Sequence, residues 1–498
     1  MAATDLHQRH PGAVAWSFVM TGGQVTLTTA MQFVLAAIVG PEAFGLVALA
    51  LIYVMFVQIL LDQGLGTAII QREDLRDDHL DSGFWMMIGV SAMLTVASIG
   101  LARWWAEFNR IPDLEPVVIA LSLLIPFRAL TVVQEAILRR ELHYRSLAIR
   151  ANVAVLASGT VGITTALMGA GVWALVYEQL TNAGVELLVL WSVSHWRPRF
   201  RFSRARVSEL LSFSLGSFLA AAGTFALTRV ESLVMGRFFG ATAVGLYRFA
   251  WRIVNSVLDV VVRSLQNVAF SFLSRLQDDR EAFADSTIHT TRIGAILVAP
   301  ILGVVAGAGP DLLAVVGDEW APAGTALRLL QGLAAVLTYL VSPILNALGH
   351  PYRYAVFVWT ITGTALAAFV TLGVVMEGDE IGSQLLAIAL ANVVMFAVIT
   401  GMGGTWIISH HIGVDWRRLI APFVRPVAAG LLAFGAVLGV NSLGVEGIEA
   451  PFARLLVTGG SGTAVAVAAV LVLDPHARSA LAAGRDRLRG PSPPIGPA

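Results

Sequence analysis

Arg248, Arg252, Asn255, Asp259, Arg263 and Gln266 recur through the largely apolar stretch 243–268. At about 100° per residue they fall within an arc of roughly 80°, so a helix would carry them on one face. The other face carries Leu246, Phe249, Ile253, Val257, Leu258, Val261 and Val262. Two arrangements fit this pattern. Asp259 could pair with Arg263 one turn on and with Arg252 two turns back, the stripe merely packing against a neighbour. Alternatively the stripe lines a polar cavity, and the positive charge that three Arg leave beside one Asp favours this second arrangement. Guanidinium groups offer a planar fork of donors to phosphate or carboxylate. The chemistry would therefore be recognition of an anionic head, and a hydrophobic cation would be repelled.

A weaker version of the pattern lies at 115–138, where Arg128, Glu135 and Arg139 are spaced 7 and 4 with Gln134 beside them. Pairing and substrate contact fit these residues equally. Arg229 and Glu231 sit well inside the apolar stretch 209–239, and Arg237 near its end reads as a snorkelling side chain. Thr21, Gln24, Thr28 and Gln32, then Gln58 with Asp62, then Glu178 with Asn182 and Glu186, are polar groups of the kind that join helices in lipid. An ionisable group at such a depth costs at least about 2.5–3.5 kcal/mol and usually faces a cavity or a partner. Asp62, Glu178 and Glu186 are thus also candidates for proton or sodium coupling.

The elements that must position these groups follow from composition. Of 498 residues, 56% are hydrophobic and only 13% charged, against about 25% charged in soluble proteins. Apolar segments long enough to cross the roughly 30 Å hydrocarbon core recur along the whole chain. Fourteen are expected, near 13–39, 43–68, 81–102, 115–138, 146–169, 171–194, 209–239, 243–268, 287–308, 324–348, 353–376, 383–408, 420–441 and 452–473. The expected fold is an all-α membrane protein of about 14 transmembrane helices, with two pseudo-symmetric six-helix lobes and two C-terminal helices. A cytoplasmic segment at 1–12 precedes an N-lobe at 13–194. An Arg-rich linker at 195–208 leads to a C-lobe at 209–408, followed by two further helices within 409–473 and a disordered tail at 474–498. No cleavage site follows the first span, which reads as a retained helix.

Arginine sets the orientation. With the N-terminus inside, the inner breaks hold clusters such as Arg139, Arg140 and Arg145, or Arg197, Arg199, Arg201, Arg204 and Arg206. The outer breaks hold only Arg103, Arg110 and Arg454. This is the positive-inside asymmetry, and it places both termini in the cytoplasm. The formal charge of zero argues against a nucleic-acid partner. Cys and Lys are absent, which excludes disulfides, thiolate metal sites, Schiff bases and a P-loop lysine. His410-His411 reads as a solvated interfacial pair, and neither metal nor cofactor is expected beyond a possible coupling ion. No outer break is long enough to carry the catalytic groups of a glycosyltransferase or polymerase. A multidrug antiporter would want a net-acidic cavity, whereas the stripe is net positive.

The chain also matches itself. Gly40-Pro41-Glu42-Ala43-Phe44-Gly45-Leu46 joins the first two spans, and Gly240-Ala241-Thr242-Ala243-Val244-Gly245-Leu246 joins the seventh and eighth at an offset of 200. Six spans per lobe give both lobes one orientation, a parallel repeat with a site near midplane between them.

These residues resemble the polysaccharide transporter family of the multidrug/oligosaccharidyl-lipid/polysaccharide exporter superfamily, in particular Wzx-type flippases of the colanic-acid branch. The resemblance rests on the Gly40-to-Leu46 junction, the run Asp62-Gln63-Gly64-Leu65-Gly66-Thr67-Ala68-Ile69-Ile70-Gln71-Arg72 and the stretch Leu138 to Arg145. Gln277-Asp278-Asp279 and Gly317-Asp318-Glu319-Trp320 extend it to about residues 10–440. It implies a V-shaped cleft between the lobes and transfer of an undecaprenyl-diphosphate-linked oligosaccharide across a bacterial inner membrane by alternating access. Polysaccharide polymerase and chain-length machinery would be partners. The diphosphate would fall to Arg252 and Arg263 first, then to Arg248, Arg128 and Arg229, with Asp259 and Asn255 beside them.

Overall fold

The computed structural model of the chain describes residues 23–62, 65–72, 74–141, 143–211, 214–273, 280–329, 344, 351–443, 450–475 and 477–478, and every regular element among them is helical. In chain order the first helices are α1 (Gly23–Val39), α2 (Pro41–Asp62), α3 (Leu65–Gln71), α4 (Asp77–Asn109), α5 (Leu114–Leu121) and α6 (Leu124–Arg140). Next come α7 (Tyr144–Leu167), α8 (Val172–Val193), α9 (Arg204–Leu211), α10 (Ser214–Leu273), α11 (Arg280–Val316) and α12 (Ala323–Leu329). The last are α13 (Pro351–Val375), α14 (Ile381–Met395), α15 (Gly403–Ile412), α16 (Trp416–Ser442) and α17 (Pro451–Leu473). Helix occupies most of the described part of each expected span. Among the described residues, eight helices are long and apolar enough to cross a membrane, and α1 and α14 are shorter apolar ones. The fold class is the one expected, all-α and membrane-spanning.

Local chemistry explains where helices break. The span expected at 115–138 is split at Ser122-Leu123 because Pro126, in the first turn of α6, has no N–H to continue the ladder of α5. Side chains bridge the break: Gln58 Nε2 donates to the Leu124 carbonyl at 3.2 Å, and Ser122 Oγ, 2.7 Å from Ser98 Oγ, donates to the Val118 carbonyl at 2.7 Å. Two expected spans, 209–239 and 243–268, run together as α10 and bend at Gly240 (φ 85°, ψ 179°). Gly40, between α1 and α2, has the matching φ of 82°. Only glycine adopts such angles at little cost, which is why the self-match keeps a glycine at its first position.

The chain divides into two compact units. The first comprises Met1–Phe249 with Ala355–Ile388. Within it α7 packs along α8, α6 against α3, α4 and α8, and α2 against α4, α5, α6 and α8. The two self-matching junctions meet here. Gly45 and Gly245 face each other so closely that a β-carbon on either would lie 3.0 Å from the other's backbone nitrogen and inside the carbonyl of Ala241 or Pro41 respectively. Small residues at such crossings let helix backbones approach where lipid supplies no hydrophobic drive.

The second unit comprises Ala250–Tyr354 with Ala389–Ala498. Its α11 packs against both α16 and α17, which also pack on each other. Asp311 of α11 meets Arg454 of α17 in an ion pair of 2.8 Å, the carboxylate being 7% exposed. Burial of this kind holds only while both partners are present.

At 33 residues, α4 is about 50 Å long and exceeds the hydrocarbon core, so its ends project from it. Its first turns receive the Arg-rich linker. The Arg199 N–H donates to Asp81 Oδ1 at 3.0 Å and the Ser203 N–H to Ser82 Oγ at 3.0 Å. Trp85 Nε1 donates to the Arg199 carbonyl at 2.8 Å while its ring stacks on Phe200. Arg206 then bridges Asp78 and Glu209, both at 3.0 Å. His79, fully buried, accepts the Arg76 N–H on Nδ1, which leaves Nε2 to donate to Glu209 at 3.2 Å. This hydrogen bond, with Arg72 and Arg206, holds the Glu209 carboxyl below the usual glutamate range. A depressed carboxylate contributes above its ordinary pKa and loses that contribution as pH falls through the native one. Glu209→Gln should therefore undock the linker at neutral pH, and acidification through the depressed native pKa should do the same in the parent. The change is read as faster proteolysis at 199–203 and altered Trp85 emission; unchanged cleavage would show that Asp81, Ser82 and Trp85 suffice.

Candidate functional site

A carboxylate within an apolar helix is tolerated when cations surround it, and α6 carries one at Glu135. Arg128 lies seven residues before it and Arg139 four after, all on one face. Arg128 NH1 donates to Glu135 Oε2 at 3.0 Å, and Arg139 NH2 and Nε donate to Oε1 at 2.7 and 3.0 Å. From α7 Arg150 reaches Glu135 Oε2 at 3.4 Å. Arg128 NH2 turns to Asp62 Oδ2 of α2 at 3.1 Å. From α8 Glu186 interacts electrostatically with Arg150, Glu135 and Arg128. Four helices thus contribute to one cluster, and its members span the range from buried to half-open: Glu135 is 12% exposed and Arg139 42%.

At 115–138 the structure shows the pairing that the spacing allows. Arg128 is paired, with Asp62 as well as with Glu135, and Asp62 and Glu186, both coupling candidates, lie in the same network. Glu178, the third candidate, is 7% exposed, against Gly162 of α7, and Gln179 Nε2 approaches its Oε2 at 3.4 Å. Arg150 was not singled out by spacing, because it counts naturally among the break arginines. Its position inside the expected span 146–169 was the signal available. Arg140, next to Arg139, points elsewhere and donates to the carbonyls of Ile69 and Arg72 that end α3, Ile69 at 2.8 Å.

On α10 the first unit holds Arg229, Glu231 and Arg248. Glu231 is 5% exposed and interacts electrostatically with Arg248 and Arg229, so two of the expected cations flank one buried carboxylate. Arg252 and Asn255, one and two turns beyond Arg248, are half-buried, and Ser256 Oγ donates to the Arg252 carbonyl at 2.9 Å. The side chains of Asp259, Arg263 and Gln266 lie outside the described residues, although the helix itself continues to Leu273. His410 stacks on Trp406 with ring centroids 5.6 Å apart.

Comparison with known proteins adds four findings. A family model described as "Polysaccharide biosynthesis protein" matches residues 34–324. The succinoglycan biosynthesis transport protein ExoT of Rhizobium meliloti (strain 1021) is 27% identical over 486 residues, 97% of either chain. The lipopolysaccharide biosynthesis protein WzxC of Escherichia coli (strain K12) is 26% identical over 363 residues, 70% of this chain and 69% of its own. Among solved structures, the lipid II flippase MurJ in an inward closed conformation gives a TM-score of 0.69 at 12% identity, over 92% of this chain and 98% of that one, a likeness of fold.

Proposed function

This chain belongs to the polysaccharide biosynthesis protein family, whose model matches residues 34–324, and from that premise we propose that it is a flippase for polyprenyl-diphosphate-linked oligosaccharides. It is a multi-pass membrane protein and a transporter of the kind its relatives are. The observation that carries the reading is the likeness to a named polysaccharide transport protein over 97% of both chains. The arginine-bearing face of α10 supplies matching chemistry, since a diphosphate carried through lipid needs its charge neutralised by fixed donors.

In this reading the protein sits in a bacterial inner membrane with both termini cytoplasmic. The diphosphate enters from the inner leaflet between two lobes. Arg252 and Arg263 neutralise it, with Arg248, Arg229 and Arg128 in support and Asn255 and Asp259 completing the polar face. The lobes then rock to expose the glycan on the outer side, where polymerase and chain-length machinery take it over. A ligand shifts such an equilibrium only through different affinities for the two states, and protonation or sodium binding at Asp62, Glu178 or Glu186 would supply the reset.

The test is transport in proteoliposomes loaded with a lipid-linked oligosaccharide, read by accessibility of the glycan to an external glycosidase. Translocation well above protein-free vesicles is expected, with a rate that responds to a pH or sodium gradient. A rate equal to empty vesicles removes the flippase reading. A protein-dependent rate indifferent to both gradients removes the coupling alone.

A further inference from the structure

In the cluster around Glu135 the guanidinium N–H donors outnumber the carboxylate oxygens. Arg128, Arg139 and Arg150 converge on Glu135, Asp62 shares Arg128, and Glu186 of α8 interacts electrostatically with Arg150 and Arg128. Arg150 is the informative member. Its side chain is 10% exposed, its nearest carboxylate oxygen is 3.4 Å away, and its Nε is buried without a hydrogen-bond partner. A buried guanidinium with unused donors is costly. Polar groups in that state commonly mark a place that something else completes.

Position adds a second constraint. Asp62 closes α2, Arg139 lies one residue from the end of α6, Arg150 follows the start of α7, and Glu186 is in the last third of α8. Helix direction therefore brings all of them to one end of the bundle. Arg128 and Arg139, 36% and 42% exposed, leave that end open.

We propose that Arg128, Arg139 and Arg150, gathered by Glu135, form an oxyanion site for a phosphate group at the end of the first unit. Glu135 keeps the three cations together, since without it they would repel one another. Asp62 acts as a surrogate ligand that occupies Arg128 until phosphate takes its place. Arg150 donates from behind, where a phosphate oxygen would meet the unused Nε–H. The site is separate in sequence and element from the arginines of α10. It rests on the flippase reading only in its use, as a place where a diphosphate is captured before it reaches α10; the binding chemistry stands without it.

The experiment measures inorganic pyrophosphate binding by calorimetry to the full chain in neutral detergent, in an Arg252→Ala/Arg263→Ala background that removes the two leading α10 contacts. Saturable binding is expected to persist. It should weaken about tenfold or more on Arg139→Gln or Arg150→Gln, the scale of one lost charge-assisted bond. Asp62→Asn should tighten it about threefold by releasing Arg128, a gain that misfolding cannot imitate. Phosphatidylglycerol added to the micelles identifies the source. If it displaces pyrophosphate, headgroup phosphate fills the site; if it does not, the site prefers a diphosphate, and either result supports the oxyanion assignment. Absence of saturable binding in this background, or binding unchanged by Arg139→Gln, Arg150→Gln and Asp62→Asn, overturns it. Flipping by the wild type is measured separately, so loss of one reading leaves the other intact.

Discussion

Gly245→Ala should yield little folded protein. A methyl group there would enter the carbonyl of Pro41, and its counterpart on Gly45 would enter the carbonyl of Ala241. Overpacking costs about 1–3 kcal/mol where side chains can give way. Here the obstacle is backbone on both sides, so the upper end or beyond is expected, enough to unfold a marginal protein. Size-exclusion profile and thermal midpoint in detergent are the readouts, with Gly45→Ala expected to behave alike. Gly89→Ala serves as the control, because an added methyl on that exposed face of α4 meets nothing within 4 Å. A Gly245→Ala protein with the parent's midpoint would show that the two junctions need not touch.

Arg252→Ala and Arg263→Ala should each abolish surface polysaccharide while the protein still folds and inserts. A charge-assisted hydrogen bond is worth about 1.5–3 kcal/mol, so the double variant would bind diphosphate roughly two to four orders of magnitude more weakly. Stability should change little, because removing a cation from an apolar helix lowers its insertion cost. Polymer at the cell surface and protein in the membrane fraction are measured together. Normal polymer from both variants takes these residues out of the site. Loss of polymer accompanied by loss of protein would assign them to the packing of α10 instead.

How much was legible beforehand differs by feature. Span positions were, because about 20 apolar residues in a row have no other stable place. Glycine spacing exposed the match between Gly40–Leu46 and Gly240–Leu246, although nothing in it said that Gly45 and Gly245 touch. The kink before Pro126 was legible in principle, since proline removes a donor wherever it falls. The linker was legible as a cationic break, whereas its attachment to α4 through Asp81, Ser82 and Trp85 was not.

The sequence by itself determined the class of protein, the apolar spans, the arginine asymmetry between alternate breaks, and the family resemblance. All of these depend on residues near one another along the chain, where hydropathy and helical period act. Only the tertiary structure decided which charges neutralise which. It placed Asp62, Arg128, Glu135, Arg139, Arg150 and Glu186 in one cluster and brought Arg229 and Arg248 within electrostatic reach of Glu231. The reason is electrostatic. In a low-dielectric bundle a charge is governed by partners within a few ångströms, and those partners come from helices whose adjacency no local pattern encodes.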